Sequence, residues 1–179
     1  MSKNVLILSA SPRKGGNSDM LCDQFMLGAE EAGHAVEKIF LRDKEINYCT
    51  GCGTCFNRGE GCFQKDDMSE ILEKMIAADA IVMATPVYFY TMNAQMKTLI
   101  DRTCPRYTEI SEKDFYFIVA AANDSKLAME RTIEGFRGFT SCLEEPKEKG
   151  IIYGTGTWNI GDIKGSKAME QAYEMGKAV

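Results

Sequence analysis

The stretch Asn4-Val5-Leu6-Ile7-Leu8-Ser9-Ala10-Ser11-Pro12-Arg13-Lys14-Gly15-Gly16-Asn17-Ser18 runs from a short apolar segment into a loop of hydroxyls, two cations and two glycines. An apolar run of this length reads as a strand covered on both faces, and the loop behind it reads as the entry to a helix. Backbone N–H groups at a helix amino terminus are unpaired and have the helix dipole behind them, so they suit an anion. The Ser11 and Ser18 hydroxyls add donors to that site. No Gly-Lys-Ser/Thr follows the glycines, and the G-x-G-x-x-G fingerprint is absent, so a monophosphate fits better than ATP or a dinucleotide. Taken alone, the same residues also describe an ordinary capped helix behind a surface loop. Their position directly after a buried strand favours the anion site.

Working outward, four more apolar segments recur: Ala35 to Leu41, Ala80 to Ala84, Asp114 to Ala121 and Gly150 to Tyr153. Five strands alternating with amphipathic stretches predict an α/β chain with a parallel sheet and crossover helices. Helical stripes are read at Leu21, Phe25 and Ala32, at Met92, Met96, Leu99 and Ile100, and at Met129, Ile133 and Phe136. The methionines are expected in the core. Asn17 or Ser18 is expected to cap the first helix, and Asp67 with Glu70 resembles a capping box for the second. Gly33 and Gly176 suit helix ends, and the last helix is expected from Ser166 to Lys177.

At 179 residues, one domain spanning 1–179 is the working organisation. A composition of 45% hydrophobic and 26% charged residues excludes disordered, collagen-like and coiled-coil classes. The formal charge of -5 argues against a nucleic-acid surface and against acidic membranes. The longest apolar stretch, Phe115 to Ala122, falls short of the ~18 residues a spanning helix needs. The amino terminus lacks the pattern of a secretory signal, so a cytoplasmic location is expected.

A second loop follows the third strand: Thr85-Pro86-Val87-Tyr88-Phe89-Tyr90-Thr91-Met92-Asn93. Three aromatics in succession at the carboxyl edge of the sheet point to an apolar partner, either a ligand ring or another subunit. Ser11-Pro12-Arg13 with Asn17-Ser18, Thr85-Pro86-Val87-Tyr88, and Met96-Lys97 with Asp101-Arg102 resemble the NADPH-dependent FMN reductase and iron–sulfur flavoprotein group of flavodoxin-like proteins. The resemblance covers nearly the whole chain. It implies a flavodoxin-like three-layer sandwich with strand order 2-1-3-4-5 and association into homodimers or homotetramers. It also implies FMN, its phosphate held by the loop of Ser11, Arg13, Gly16, Asn17 and Ser18, with the isoalloxazine beside Pro86, Val87, Tyr88 and Phe89.

Residues 47–65 are left over, too long and cysteine-rich for a plain connection. They carry Cys49, Cys52, Cys55 and Cys62 in a C-x2-C-x2-C-x6-C spacing. Without an export signal, these cysteines read as thiols or metal ligands rather than disulfides. Structural zinc more often uses two separated C-x2-C knuckles, so iron and sulfur suit this spacing better, with zinc as the rival. The motif resembles that of the iron–sulfur flavoproteins, which implies a 4Fe-4S cluster on these four residues. Leaving strand two, the segment is expected at the same sheet edge as the flavin loops, coupling cluster to flavin.

Cys22 and Cys142 are expected within helices as small buried thiols, and Cys104 ends a helix before Pro105 with no assigned role. His34 reads as a surface or capping residue. Glu144 and Glu145 read as a solvated connection. Trp158 falls after strand five on the binding edge, where subunit packing is preferred over flavin cover. The function these readings support is an FMN-dependent oxidoreductase that needs no side-chain catalyst. NAD(P)H or ferredoxin is the expected donor, and a quinone, a flavin or another small-molecule or protein acceptor receives the electrons. The alternatives are a non-catalytic flavodoxin-like electron-transfer module and a zinc-stabilised binding domain.

Overall fold

The structure is a computed structural model that describes residues 1–57 and 61–179; residues 58–60, inside the cysteine segment, lie outside the described residues. In chain order the strands are β1 (Asn4–Ser9), β2 (Ala35–Phe40), β3 (Ala80–Tyr88), β4 (Thr91–Met92), β5 (Asp114–Ala120) and β6 (Lys147–Gly154). The helices are α1 (Asn17–Glu31), α2 (Thr54–Asn57), α3 (Met68–Ala77), α4 (Ala94–Arg102), α5 (Glu130–Thr140) and α6 (Lys167–Lys177). Five strands run parallel in the order β2-β1-β3-β5-β6, the expected flavodoxin-like order. A sixth strand, not expected, is β4, which folds back antiparallel on the end of β3.

The period-2 geometry of a strand sorts the core into two layers. Leu6, Leu8, Ile81, Met83, Phe115 and Phe117 face α3, α4 and α5. Val5, Ile7, Val82, Tyr116 and Ile118 face α1 and α6. The Phe117 and Phe136 rings stack at 4.9 Å on the first side, and Phe25 meets Tyr116 edge-on at 5.0 Å on the second. Met68, Met75, Met83, Met96 and Met129 are buried in the core as expected, and Met20, Met26, Met169 and Met175 pack partly buried against it.

Backbone contact between α1 and α6 fixes the helix that opens the first loop. A Cβ at Gly28 would lie 2.1 Å from the Tyr173 carbonyl oxygen, and one at Gly176 would lie 2.0 Å from that of Phe25. Gly176 lies in the last turn of α6, at the helix end as expected, and is also the point where the two backbones touch. Gly33 likewise ends α1, with φ +87.

Other local expectations yield to tertiary partners. Gly16, and not Asn17 or Ser18, is the N-cap of α1, and it offers no side-chain cap. Asp67 does not cap α3 through its side chain, because its carboxylate accepts from Glu45 N at 2.7 Å. Asp66 Oδ1 instead accepts from Met68 N at 3.2 Å. Ala32 lies at the exposed end of α1, and Ala29 takes its place in the core. Cys142 lies past the end of α5 and is exposed, not buried in a helix. His34 fulfils a local role, its Nδ1 accepting from Lys3 N at 3.1 Å.

Candidate functional site

At the carboxyl edge of the sheet a cleft of about 410 Å³ is lined by Ser11, Arg13, Gly16, Asn17, Ser18, Pro86, Val87, Tyr88 and Phe89. Every residue that the sequence places beside a flavin thus faces one space. Its size falls in the range of roughly 300–1,000 Å³ usual for small-molecule sites.

The α1 side of this cleft is shaped by backbone. The first intrahelical bond runs from Met20 N to the Gly16 carbonyl at 2.9 Å, so the N–H groups of Asn17, Ser18 and Asp19 lie ahead of the ladder. Gly16 is needed for closeness and not for its φ of -67: a Cβ there would lie 2.4 Å from Ser11 Oγ. Ser11 organises the loop, its hydroxyl donating to the Arg13 carbonyl at 2.9 Å and accepting from Arg13 N at 3.3 Å.

Beneath the loop, Asp19 accepts from Ser9 Oγ at 2.9 Å and from Gly15 N at 3.1 Å. Lys38 Nζ neutralises it at 2.6 Å with both side chains about 95% buried, and Arg42 stands 3.6 Å away. An anion above α1 therefore meets donors and not an uncompensated carboxylate. Neighbouring Cys22 is pushed up to about 12 by burial and remains an inert thiol.

The side chain of Asn17 is committed elsewhere. Its Nδ2 donates to the Asn159 carbonyl at 2.8 Å, and its Oδ1 accepts from Gly161 N at 3.1 Å and Ile163 N at 3.3 Å. Arg13 likewise donates to the Trp158 carbonyl at 2.9 Å. These bonds tie the loop after β6 to the start of α1 and bring Trp158, 71% exposed, onto the cleft beside Thr157. Ala120, Ala121 and Ala122 form a further wall that the sequence left unassigned, since small side chains carry no local signal of binding.

Opposite α1, Val87 and Tyr88 pair with Met92 and Thr91, leaving Phe89 and Tyr90 as a two-residue turn. Both have positive φ, at 49 and 66, a conformation that costs a non-glycine residue about 1–2 kcal/mol. Phe89 is 98% exposed despite that strain. Asn93 anchors the hairpin: its Oδ1 caps α4 at Met96 N, and its Nδ2 donates to the Ala10 carbonyl at 2.5 Å. The loops after β1 and β3 are thereby held to each other.

Cys49, Cys52, Cys55 and Cys62 line a second, smaller cavity against Arg102 at the end of α4, and Cys104 joins them as a fifth thiol. All seven cysteines of the chain are free. Thr54 Oγ1 lies 3.3 Å from Cys52 Sγ and lowers that thiol below its usual range. Burial, then the neighbouring Cys55, push Cys104 up. The cavity shares no lining residue with the cleft, so the cysteines and the loops after β1 and β3, expected at one sheet edge, line separate spaces. The reason is the brace on the segment: Arg102 holds the Asn47 carbonyl at 2.5 Å and Asp66 Oδ2 at 2.7 Å, docking it on α4.

Among the described residues no three His, Cys, Asp or Glu side chains converge tightly enough for a single metal ion. A four-iron cluster spreads its ligands over four metals, so four thiols around one apolar cavity fit it in number and chemistry.

These features define a flavodoxin-like α/β protein with a nucleotide-sized cleft at the sheet edge. Residues 3–138 match the family described as NADPH-dependent FMN reductase, and the chain belongs to that family. It is 48% identical over 95 residues to an iron–sulfur flavoprotein of Archaeoglobus fulgidus, covering 53% of this chain and 43% of that protein. It is 41% identical over 96 residues to an iron–sulfur flavoprotein of Methanosarcina thermophila, covering 54% and 50%. The chain thus spans about half the length of these curated relatives. An azoreductase of Bacillus anthracis superposes with a TM-score of 0.76 at 18% identity, covering 100% of both chains, which shows the fold. Among the described residues no helix is long and apolar enough to cross a membrane.

Proposed function

We propose that the chain is an FMN-dependent oxidoreductase that takes electrons from NAD(P)H, or from a reduced carrier such as ferredoxin, and passes them to a quinone, a flavin or a protein acceptor. One observation carries this reading: the uncapped start of α1 opens into a cleft whose other wall is the strained aromatic hairpin. Phosphate suits the N–H groups of Asn17 and Ser18, with Arg13 adding positive charge and Gly16 leaving the space. The flavin ring suits the apolar surface of Pro86, Val87, Tyr88 and Phe89, with Trp158 shielding a further side. FMN supplies the redox chemistry, accepting a hydride and releasing electrons singly or in pairs. The protein contributes binding, orientation and exclusion of water, and no side-chain base is required.

Cys49, Cys52, Cys55 and Cys62 are read as ligands of a 4Fe-4S cluster, which a reducing cytoplasm would preserve. Assembly into a homodimer or homotetramer is part of the same reading, since Phe89 and Trp158 stand exposed at the cleft. The test is anaerobic purification with a visible spectrum and iron and sulfide analysis, then addition of NADH, NADPH and reduced ferredoxin in turn. Rapid bleaching by a nicotinamide is expected. A flavin that only ferredoxin reduces would make the protein an electron-transfer module, and a colourless protein with no affinity for FMN would overturn the reading.

A further inference from the structure

We propose that Arg102 is a positioning residue of the cysteine cavity, whose Nε–H is reserved for the sulfur of Cys62 when that sulfur binds a cluster. The inference rests on the reading that the four cysteines hold iron and sulfide. Arg102 is 3% exposed at the end of α4. Its terminal nitrogens are used: one donates to the Asn47 carbonyl and to Asp66 Oδ2, and the other donates to Asp66 Oδ1 at 2.9 Å. Nε differs, being buried with no hydrogen-bond partner among the described residues. A charged donor left unpaired in the interior is unfavourable enough to call for an explanation.

Cys62 and Arg102 line the same cavity. A neutral thiol is a weak acceptor, whereas a metal-bound sulfur carries negative charge and accepts well. Binding of the cluster would therefore complete the arginine, and the arginine would orient the ligand. The planar fork gripped by Asp66 fixes where Nε points, which a flexible ammonium does not do. Hydrogen bonds to cluster sulfurs also set the potential. Reduction adds one electron from the flavin reduced by NAD(P)H, with no bond made or broken, and the Nε–H stabilises the added charge.

The test uses the whole chain, reconstituted anaerobically with iron, sulfide and FMN, as wild type and as Arg102→Lys, which keeps the charge and removes the Nε donor. The variant is expected to retain FMN while its cluster becomes harder to reduce. A tenfold shift of the reduction equilibrium, about 59 mV for one electron, is the expected scale. Wild-type iron content with an unchanged potential in the variant overturns the proposal and leaves the cluster reading intact. If the wild type itself takes up no iron and sulfide, both fall. Should the variant lose its iron, the Arg102 Nε–H resonance decides. A shift when the wild-type protein takes up iron and sulfide supports the contact, and no shift overturns it.

Discussion

Ser11, Asn17 and Ser18 at the cleft are all buried, whereas Cys49 and Cys52 at the second cavity are exposed. The cleft grows from the ends of core strands, and its loops are tied to each other through Asn93 and Asn17. The cysteine segment follows β2 at a distance and, among the described residues, is braced by the buried Arg102, which pairs with Asp66 and donates to the Asn47 carbonyl. The comparison teaches that a site can be preformed by the fold or merely moored to it. A moored site has a separate stability, able to open without the global transition.

The sharpest way to break the comparison is to cut the mooring. Asp66→Ala leaves a guanidinium buried and unpaired, a cost of about 3–5 kcal/mol. Limited proteolysis should then cleave within residues 47–65, while FMN titration shows the cleft intact; loss of both together would contradict the separation. On the other side, Gly16→Val is expected to weaken FMN roughly 100-fold, since overpacking costs about 3 kcal/mol, with iron uptake unaffected.

Acid should divide the two regions as well. Arg102 holds the Asp66 carboxyl down at about 2. A depressed carboxyl contributes stability above its unfolded value near 3.9, lost as pH falls toward 2, so roughly 2 kcal/mol of mooring disappears across that window. Protection of residues 47–57 against hydrogen exchange, corrected for the intrinsic pH dependence of amide exchange and followed from pH 5 to pH 2, checks this, and unchanged protection would refute it.

Smaller effects sharpen the cleft itself. Arg13→Ala should weaken FMN about 10-fold, as measured by flavin fluorescence, because one charged contact of about 1.5 kcal/mol is lost. Phe89→Gly should relieve the turn and raise stability by about 1 kcal/mol in urea denaturation while loosening FMN. A variant less stable than wild type would show that the strain at Phe89 is not what the hairpin stores.

Much of the cleft was legible because its signals are local. An apolar run, a glycine loop and a helical stripe follow one another within residues 4–32, and a parallel sheet brings such loops to one edge. Misreadings arose where a side chain found a distant partner. Asn17 looks like a cap, yet its amide serves a loop 142 residues away. Asp66 carries no pattern, and nothing in the sequence pairs it with Arg102, 36 positions away, until folding brings them together. Cys104 has no role in the spacing of the other cysteines until the end of α4 is set against them.

The sequence by itself determined the five parallel strands, their burial, the glycine loop and the cysteine spacing, because these depend on short-range periodicity and backbone freedom. Only tertiary structure decided which donors remain free, which cavity the thiols share, and that Arg102 stands between the segment and the core. Those depend on groups remote in the chain meeting away from water, where each buried polar atom must find a partner.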